Sequence, residues 1–260
     1  MSDLGVAVVI EDDEDMRGLL QAVLGQAGFD VHTAADGREG VEVVRNKGAH
    51  VVTLDLGLPD IDGFEVLRRI RLFSDAYVVM LTGRTEEPDM LTALHGGADD
   101  YITKPFRPLE LRARIGAMMR RPRPSALAAH PPALHQVAQR ALPRDETIIR
   151  HNGLALNYQT RTAEVGGAAI ELTRSEFDLL LELLRAGGAV RSRVELVRVV
   201  RGEHYPDDAY ISESDERSVE VHIANLRRKL RENPEAPRWL QTVRGVGYRL
   251  APDRAADTRH

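Results

Sequence analysis

Along residues 1–121, short apolar runs alternate with segments whose apolar residues return every three to four positions. The runs Val6–Ile10, Val31–Ala34, Val51–Leu54, Tyr77–Leu81 and Asp100–Thr103 have the length of strands, and helical spacing fits 14–27, 37–46, 63–71, 87–95 and 107–121. Five strands alternating with five helices predict an α/β unit, a doubly wound five-stranded parallel sheet covered on both faces. Such sheets bind ligands beyond the carboxyl ends of their strands. The alternation also fits a dinucleotide-binding half, but the first strand runs into "IEDDEDM" and not into a glycine-rich turn. Acids at that place repel a pyrophosphate and disfavour the dinucleotide reading.

The rhythm breaks at residues 122–145, which are rich in proline and alanine and poor in large apolar groups. We expect a flexible linker there, spanning roughly 25–30 Å by random-coil scaling. From about Thr147 the pattern becomes short alternating segments, Leu154–Tyr158, Thr162–Val165 and Ala169–Leu172, separated by "NG" and "GG" turns. Helical stretches follow near 173–185, 192–200 and 215–231, the first opened by Thr173 with Glu176 three residues on, a capping-box spacing. A last strand pair, 239–243 and 247–250, flanks "RGVG". A small antiparallel sheet, three helices and a hairpin predict an α+β winged helix-turn-helix unit. The expected division is therefore 1–121, a linker at 122–145, a second domain at 146–252 and a disordered tail at 253–260. A chain of 260 residues suits two domains.

Composition narrows the function. With no cysteine, neither a disulfide framework nor a thiolate metal site or nucleophile is available. The start has no basic segment ahead of a long apolar run, and nothing approaches the length of a membrane span, so a cytoplasmic protein is expected, with no membrane partner. The net charge of −5 is uneven: residues 1–121 carry 14 basic and 21 acidic side chains, whereas 217–249 carry 8 basic and 3 acidic. The local excess of positive charge is a patch suited to a polyanion.

The stretch "VVTLDLGLPDIDG" ends a buried-looking strand on a carboxylate, Asp55. If the first and third strands are neighbours, Glu11 and Asp12 lie beside Asp55. Three carboxylates repel one another unless a cation joins them, and oxygen ligands at a wet strand edge suit Mg²⁺. The fourth strand ends in "LTG" and the fifth in "YITKPF", which puts Thr82 and Lys104 on the same rim. A hydroxyl and an ammonium facing a carboxylate-bound metal suit the equatorial oxygens of a phosphoryl group, so Asp55 is read as a nucleophile that forms an aspartyl phosphate. Taken singly, Glu11, Asp12 and Asp13 equally suit the acidic N-terminus of a helix, and Asp55 suits a turn cap.

The ordered set "IEDDED", "LDLGLPDIDG", "LTG" and "GADDYITKPF" resembles the flavodoxin-like receiver domain of two-component response regulators. The later "SVEVHIANLRRKL" and "QTVRGVGYRL" resemble the winged-helix effector domain of the OmpR/PhoB family. The resemblance covers nearly the whole chain outside the linker. It implies Asp12, Asp55 and the main-chain carbonyl of Gly57 as Mg²⁺ ligands with Glu11 completing the acidic pair, Thr82 and Lys104 as phosphate ligands, Tyr101 as the switch aromatic and a cis bond before Pro105. It further implies a sensor histidine kinase as phosphodonor. A homodimer is expected through Asp99, Asp100, Glu110, Arg114 and Arg121. Met90 stands where a basic residue usually faces the glutamate, leaving Glu110 short of a partner.

In 217–231, Val219, Ile223, Leu226 and Leu230 form one apolar stripe, while Arg217, His222, Asn225, Arg227, Arg228 and Lys229 occupy the other faces. Such a helix also suits a membrane surface or an acidic partner, but its place before a glycine-rich wing fits a major-groove reader better. By resemblance, Arg217, Ser218, His222 and Arg227 meet DNA phosphates, Ala224 and Asn225 approach bases, Arg228 adds to the basic face and Arg244 enters the minor groove. Asparagine suits adenine where the phosphate-regulon relative's arginine suits guanine. The acidic loop 201–216 is read as either a contact for RNA polymerase or a solvated insertion. The expected function is a DNA-binding transcriptional regulator switched at Asp55. The rivals are an aspartate-nucleophile phosphatase, which would need an acid where Gly57 stands, and a regulator of the same fold that works without phosphorylation.

Overall fold

The computed structural model describes residues 4–83, 92–119, 147–201, 211–233 and 235–253. The expected linker, Arg121, Met90 and Glu203 with the rest of 202–210 lie outside these residues.

Strands β1 (Val6–Ile10), β2 (Asp30–Ala34), β3 (Val51–Asp55), β4 (Tyr77–Thr82) and β5 (Asp100–Thr103) form one parallel sheet in the order β2-β1-β3-β4-β5. Helices α1 (Glu14–Gln26), α2 (Gly37–Lys47), α3 (Gly63–Arg71) and α4 (Pro108–Met119) accompany it, with a helical turn at 92–95. The alternation of strand side chains explains the continuous apolar runs. Ala7, Val9, Val51, Val79 and Leu81 point to one layer with Leu20 and Leu24 of α1 and Leu111 and Ile115 of α4. Val8, Ile10, Val52, Leu54 and Met80 point to the other, with Val44 of α2 and Val66, Leu67 and Ile70 of α3. Both faces being covered, no position in β3 or β4 is free to be polar without cost; each fully buried aliphatic side chain contributes about 1.5–3 kcal/mol. Gly40 on α2 is required by this packing, since a Cβ there would lie 2.5 Å from the Ile10 side chain.

The second unit begins with the antiparallel sheet β6 (Ile148–His151), β7 (Leu154–Asn157), β8 (Thr162–Val165) and β9 (Ala168–Ile170). Helices α5 (Arg174–Arg185), α6 (Arg193–Arg201) and α7 (Glu213–Leu230) follow, with β10 (Arg191–Ser192) before α6 and the hairpin β11 (Leu240–Val243) and β12 (Gly247–Leu250) closing the unit. The Thr173/Glu176 capping box opens α5 as its spacing predicts. Three differences from the sequence reading stand out. Strand β6 precedes the first expected strand, β10 adds an edge beside β12, and α7 begins two residues earlier. The last has a clear cause: Ser212 caps α7 with Asp215 answering as a second capping box, so part of the expected acidic loop is a helix N-terminus.

Candidate functional site

The register Ile10↔Leu54 sets the ends of β1 and β3 side by side, and the chain leaves both strands with acids. Glu11, Asp12 and Asp55 each offer an oxygen within 4.8 Å of the others. The adjoining Asp13 serves the helix instead, its carboxylate capping α1 by accepting from the Met16 amide at 2.8 Å. Arg17, one turn into α1, donates to the carbonyls of Glu11 and Asp12 at 2.8 and 2.9 Å and fixes the turn that presents them. Sequence reasoning missed Arg17, although its place one turn after the acidic run is a usable signal.

Lys104 completes the crevice from the end of β5, following Thr103, and its bond to Pro105 is cis. Its Nζ lies 2.8 Å from both Glu11 oxygens and 3.1 Å from Asp55 Oδ1. Burial pushes the Glu11 carboxyl above its ordinary range, against the hydrogen bond from Lys104. Burial works against the Lys104 charge too, but the Glu11 hydrogen bond and the charges of Asp55 and Glu11 hold its affinity for the proton above normal. Thr82 is buried at the end of β4, one residue beyond Leu81, the register partner of Asp55. A Cβ added at Gly57 would meet Asp55 Oδ2 at 3.5 Å, so the glycine leaves the approach to that oxygen open. Gly63 permits the tight return of the loop: a Cβ there would lie 2.9 Å from Leu56 Cα and against the Asp55 carbonyl. Asp60 holds the same loop to α2 by accepting from the Gly37 and Arg38 amides at 2.7 and 3.0 Å.

The donor set fits Mg²⁺: hard oxygens only, one of them on exposed Asp12 and open to water, with Lys104 offsetting one of the two charges of the deeper pair, Glu11 and Asp55.

Of the residues read as a dimer face, the described ones, Asp99, Asp100, Glu110 and Arg114, are engaged within the chain. Asp99 accepts from the Val78 amide at 3.0 Å, from Arg71 at 2.7 Å and from the Ser175 amide of α5 at 3.2 Å. Arg114 pairs with Asp100 at 3.2 Å and Glu110 at 2.7 Å, and reaches Asp215 at 3.9 Å. Glu110 therefore has a partner one turn away. Tyr101 is half-buried against the apolar layer that contains Leu94 and Ala98.

On α7 the apolar stripe Val219, Ile223, Leu226 and Leu230 is buried as expected. The polar faces differ from expectation. His222 and Asn225, placed by pattern on outward faces, are each 1% exposed, because α7 packs on the receiver unit: Asn225 Nδ2 donates to the Leu94 carbonyl at 2.9 Å. Arg227 is turned to the wing, donating to the Leu240 carbonyl and Thr242 Oγ1 at 3.0 and 2.8 Å. Ala224, Arg228 and Arg244 are exposed, and Arg217 and Ser218 are half-buried.

A parallel sheet carrying an acidic crevice, followed by a winged helix with a basic α7, defines a response regulator with a DNA-binding effector domain. The chain belongs to the OmpR/PhoB family of two-component response regulators. Residues 7–116 match the response regulator receiver domain, and residues 167–250 match the C-terminal domain of transcriptional regulatory proteins. The transcriptional regulatory protein AfsQ1 of Streptomyces coelicolor is 36% identical over 246 residues, covering 94% of this chain and 97% of that one. A probable transcriptional regulator, ycf27 of Guillardia theta, is 35% identical over 241 residues, covering 93% and 88%. Among solved structures, a variant of RitR shares the fold with a TM-score of 0.68 at 22% identity, covering 95% of this chain and 99% of that one.

Among the described residues, no helix is long and apolar enough to cross a membrane.

Proposed function

We propose that this transcriptional response regulator is switched by phosphorylation of Asp55. The observation that carries the reading is the convergence of Glu11, Asp12, Asp55 and Lys104 at the ends of three strands. An Asp55 carboxylate oxygen attacks the phosphorus of a phosphohistidine on a sensor kinase, the phosphorus–nitrogen bond breaks, and the departing imidazole keeps the electron pair. Lys104 offers an ammonium to the phosphoryl oxygens, Thr82 a hydroxyl, and Gly57 an unobstructed path. Asp12, Asp55 and the Gly57 carbonyl would hold Mg²⁺, with Glu11 as acidic neighbour; the ion supplies charge neutralisation for the transferring group.

The proposed division is a receiver at 1–121, a linker at 122–145 and a winged-helix domain at 146–252, acting in the cytoplasm. Phosphorylation draws Thr82 toward the phosphate and the Tyr101 ring inward, and promotes a homodimer through Asp99, Asp100, Glu110, Arg114 and Arg121. The dimer reads tandem promoter half-sites. Arg217, Ser218, His222, Arg227 and Arg228 serve the phosphates, Ala224 and Asn225 the bases and Arg244 the minor groove, and RNA polymerase is the further partner. The chemistry of Asp55 is confined to its own phosphorylation and dephosphorylation. Intact mass spectrometry after incubation with a small-molecule phosphodonor and Mg²⁺ tests the reading: one phosphoryl group is expected on wild type and none on Asp55→Asn. Phosphorylation that survives in Asp55→Asn would refute it.

A further inference from the structure

Strand β11 lies at the edge of its sheet, in the order β10-β12-β11, so one of its sides has no strand to pair with. Leu240 turns its amide and its carbonyl to that side, and groups at the end of α7 take both. Glu232 accepts from the Leu240 amide at 3.0 Å and from the Arg238 and Trp239 amides at 2.6 and 2.5 Å, while Arg227 donates to the Leu240 carbonyl. The Glu232 amide in turn donates to the Arg227 carbonyl at 2.9 Å, which ties the carboxylate to the last turn of the helix. Arg231, in the left-handed region at φ 54°, ends α7 and redirects the chain at Glu232.

A second grip closes on the same hairpin base from the first sheet of the winged unit. Asn152, in the turn between β6 and β7, donates through Nδ2 to the carbonyls of Arg238 before β11 and Pro252 after β12, at 2.7 and 3.0 Å. Its left-handed backbone, φ 49°, is one that asparagine tolerates. The Ala251 amide donates to the Trp239 carbonyl at 2.8 Å and closes the base between the two grips. Glu232 is buried, so its charge depends on the three amides that compensate it, and they in turn are held where it sits. Arg244 and Val246 at the wing tip are exposed, and their place follows from this base.

We propose that Glu232 is a positioning residue for DNA reading, which locks the wing hairpin to α7 so that helix and wing engage the duplex as one rigid head. The proposal rests on the reading of α7 as the major-groove element and of Arg244 as the minor-groove contact. A wing already held in place loses little freedom on docking, so the Arg244 contact is realised in full. A loosened wing must be ordered at the moment of binding, and the same contact then yields less. Electrostatics alone makes the opposite forecast, since removal of an acidic charge from a DNA-binding unit strengthens its attraction to the phosphates. The sign of the effect therefore separates positioning from charge.

Glu232→Gln keeps the size of the side chain but sets an NH₂ group against one of the three amides. Hydrogen exchange at the Arg238, Trp239 and Leu240 amides of the full chain is expected to run at least about tenfold faster than in wild type. On a duplex selected by the wild-type chain from a random pool, Glu232→Gln is expected to bind about threefold to about tenfold more weakly. In the same assay Arg244→Ala is expected to weaken wild type about tenfold but Glu232→Gln about threefold or less. Asn152→Gly, which keeps the left-handed turn and acts from the other side of the hairpin, is expected to shrink the cost of Arg244→Ala in the same direction. All are compared at a temperature where thermal denaturation shows each variant folded, and Asn152→Gly decides should Glu232→Gln not fold. Unchanged exchange at the three amides, tighter binding by Glu232→Gln, or an equal cost of Arg244→Ala in both backgrounds would overturn the proposal. If Arg244→Ala costs wild type nothing, the wing contact of the proposed function fails, and amide exchange still judges the grip of Glu232 by itself.

Discussion

Lys104 decides the state of the crevice at the scale of single residues. It neutralises buried Glu11 and touches Asp55, so Lys104→Ala leaves a buried carboxylate without its charged partner. Such losses cost about 1–3 kcal/mol, and we expect a lower melting temperature in chelator-treated protein, with part of the loss restored by added Mg²⁺. Thermal denaturation with and without the ion checks it; an unchanged melting temperature would contradict the role given to Lys104. At Gly57 a side chain would sit against Asp55 Oδ2, so Gly57→Leu is expected to slow loss of the phosphoryl group by about tenfold, or about 1.4 kcal/mol on the barrier. The decay of phosphoprotein over time measures this. His222 gives a pH dependence. Burial holds its imidazole below the ordinary value, opposed by Asp99, Glu176 and Asp100, which are themselves paired with Arg71, Lys229 and Arg114. The packed arrangement therefore binds the proton less well than an exposed His222 would, so the stability it lends is full above the ordinary imidazole value of about 6.5 and falls as the pH drops below it. Wild type should accordingly lose melting temperature between about pH 8 and about pH 5.5 more steeply than His222→Gln; identical pH dependence of thermal denaturation in the two would contradict this. Much of the crevice was legible because each acid, Thr82 and Lys104 sits just where an apolar run stops. The role of Asp99 was not, since its partners Val78, Arg71 and Ser175 come from three separate segments.

Among the elements, the five receiver strands were readable because both sheet faces are covered and nearly every core position is apolar. Leu54→Ala, removing a fully buried side chain between β1 and β4, is expected to cost about 2–5 kcal/mol in denaturant unfolding. Strand β6 escaped notice because it is mostly half-exposed and lacks a clean alternation, and β10 because two residues carry no periodicity. The start of α7 was misplaced for a chemical reason: Ser212 and Asp215 read as part of an acidic loop, yet the same pair is a capping box. The family resemblance implies a DNA phosphate contact for Arg227, and its guanidinium also braces β11. Arg227→Ala should therefore weaken DNA binding through a loosened wing as well as lost charge, and a lower melting temperature of the full chain, by an amount equivalent to about 1 kcal/mol, would separate the two effects. Asn225 makes the sharper specificity test. If it reads adenine, a binding selection with Asn225→Ala should lose base preference at one position while overall salt dependence stays the same.

For the whole molecule, the contact between the units is the feature that periodicity cannot encode, since it depends on surfaces from two independently patterned domains meeting. Its composition sets its character. Val221, in the apolar layer of the receiver, and the bonds of Asn225 and Ser175 favour the contact, while Ser175 Oγ, His222 Nε2 and Asn225 Oδ1, buried without a hydrogen-bond partner, oppose it by about 1–3 kcal/mol each. In the proposed function the state of Asp55 governs binding of the winged-helix unit to DNA. The measurement that bears on it most directly is duplex affinity of the full chain before and after treatment with a small phosphodonor and Mg²⁺, beside Asp55→Asn under the same treatment. Tighter binding is expected of treated wild type and no change of Asp55→Asn; equal affinity of treated and untreated wild type, with the phosphoryl group verified by mass, would contradict control of DNA binding by Asp55.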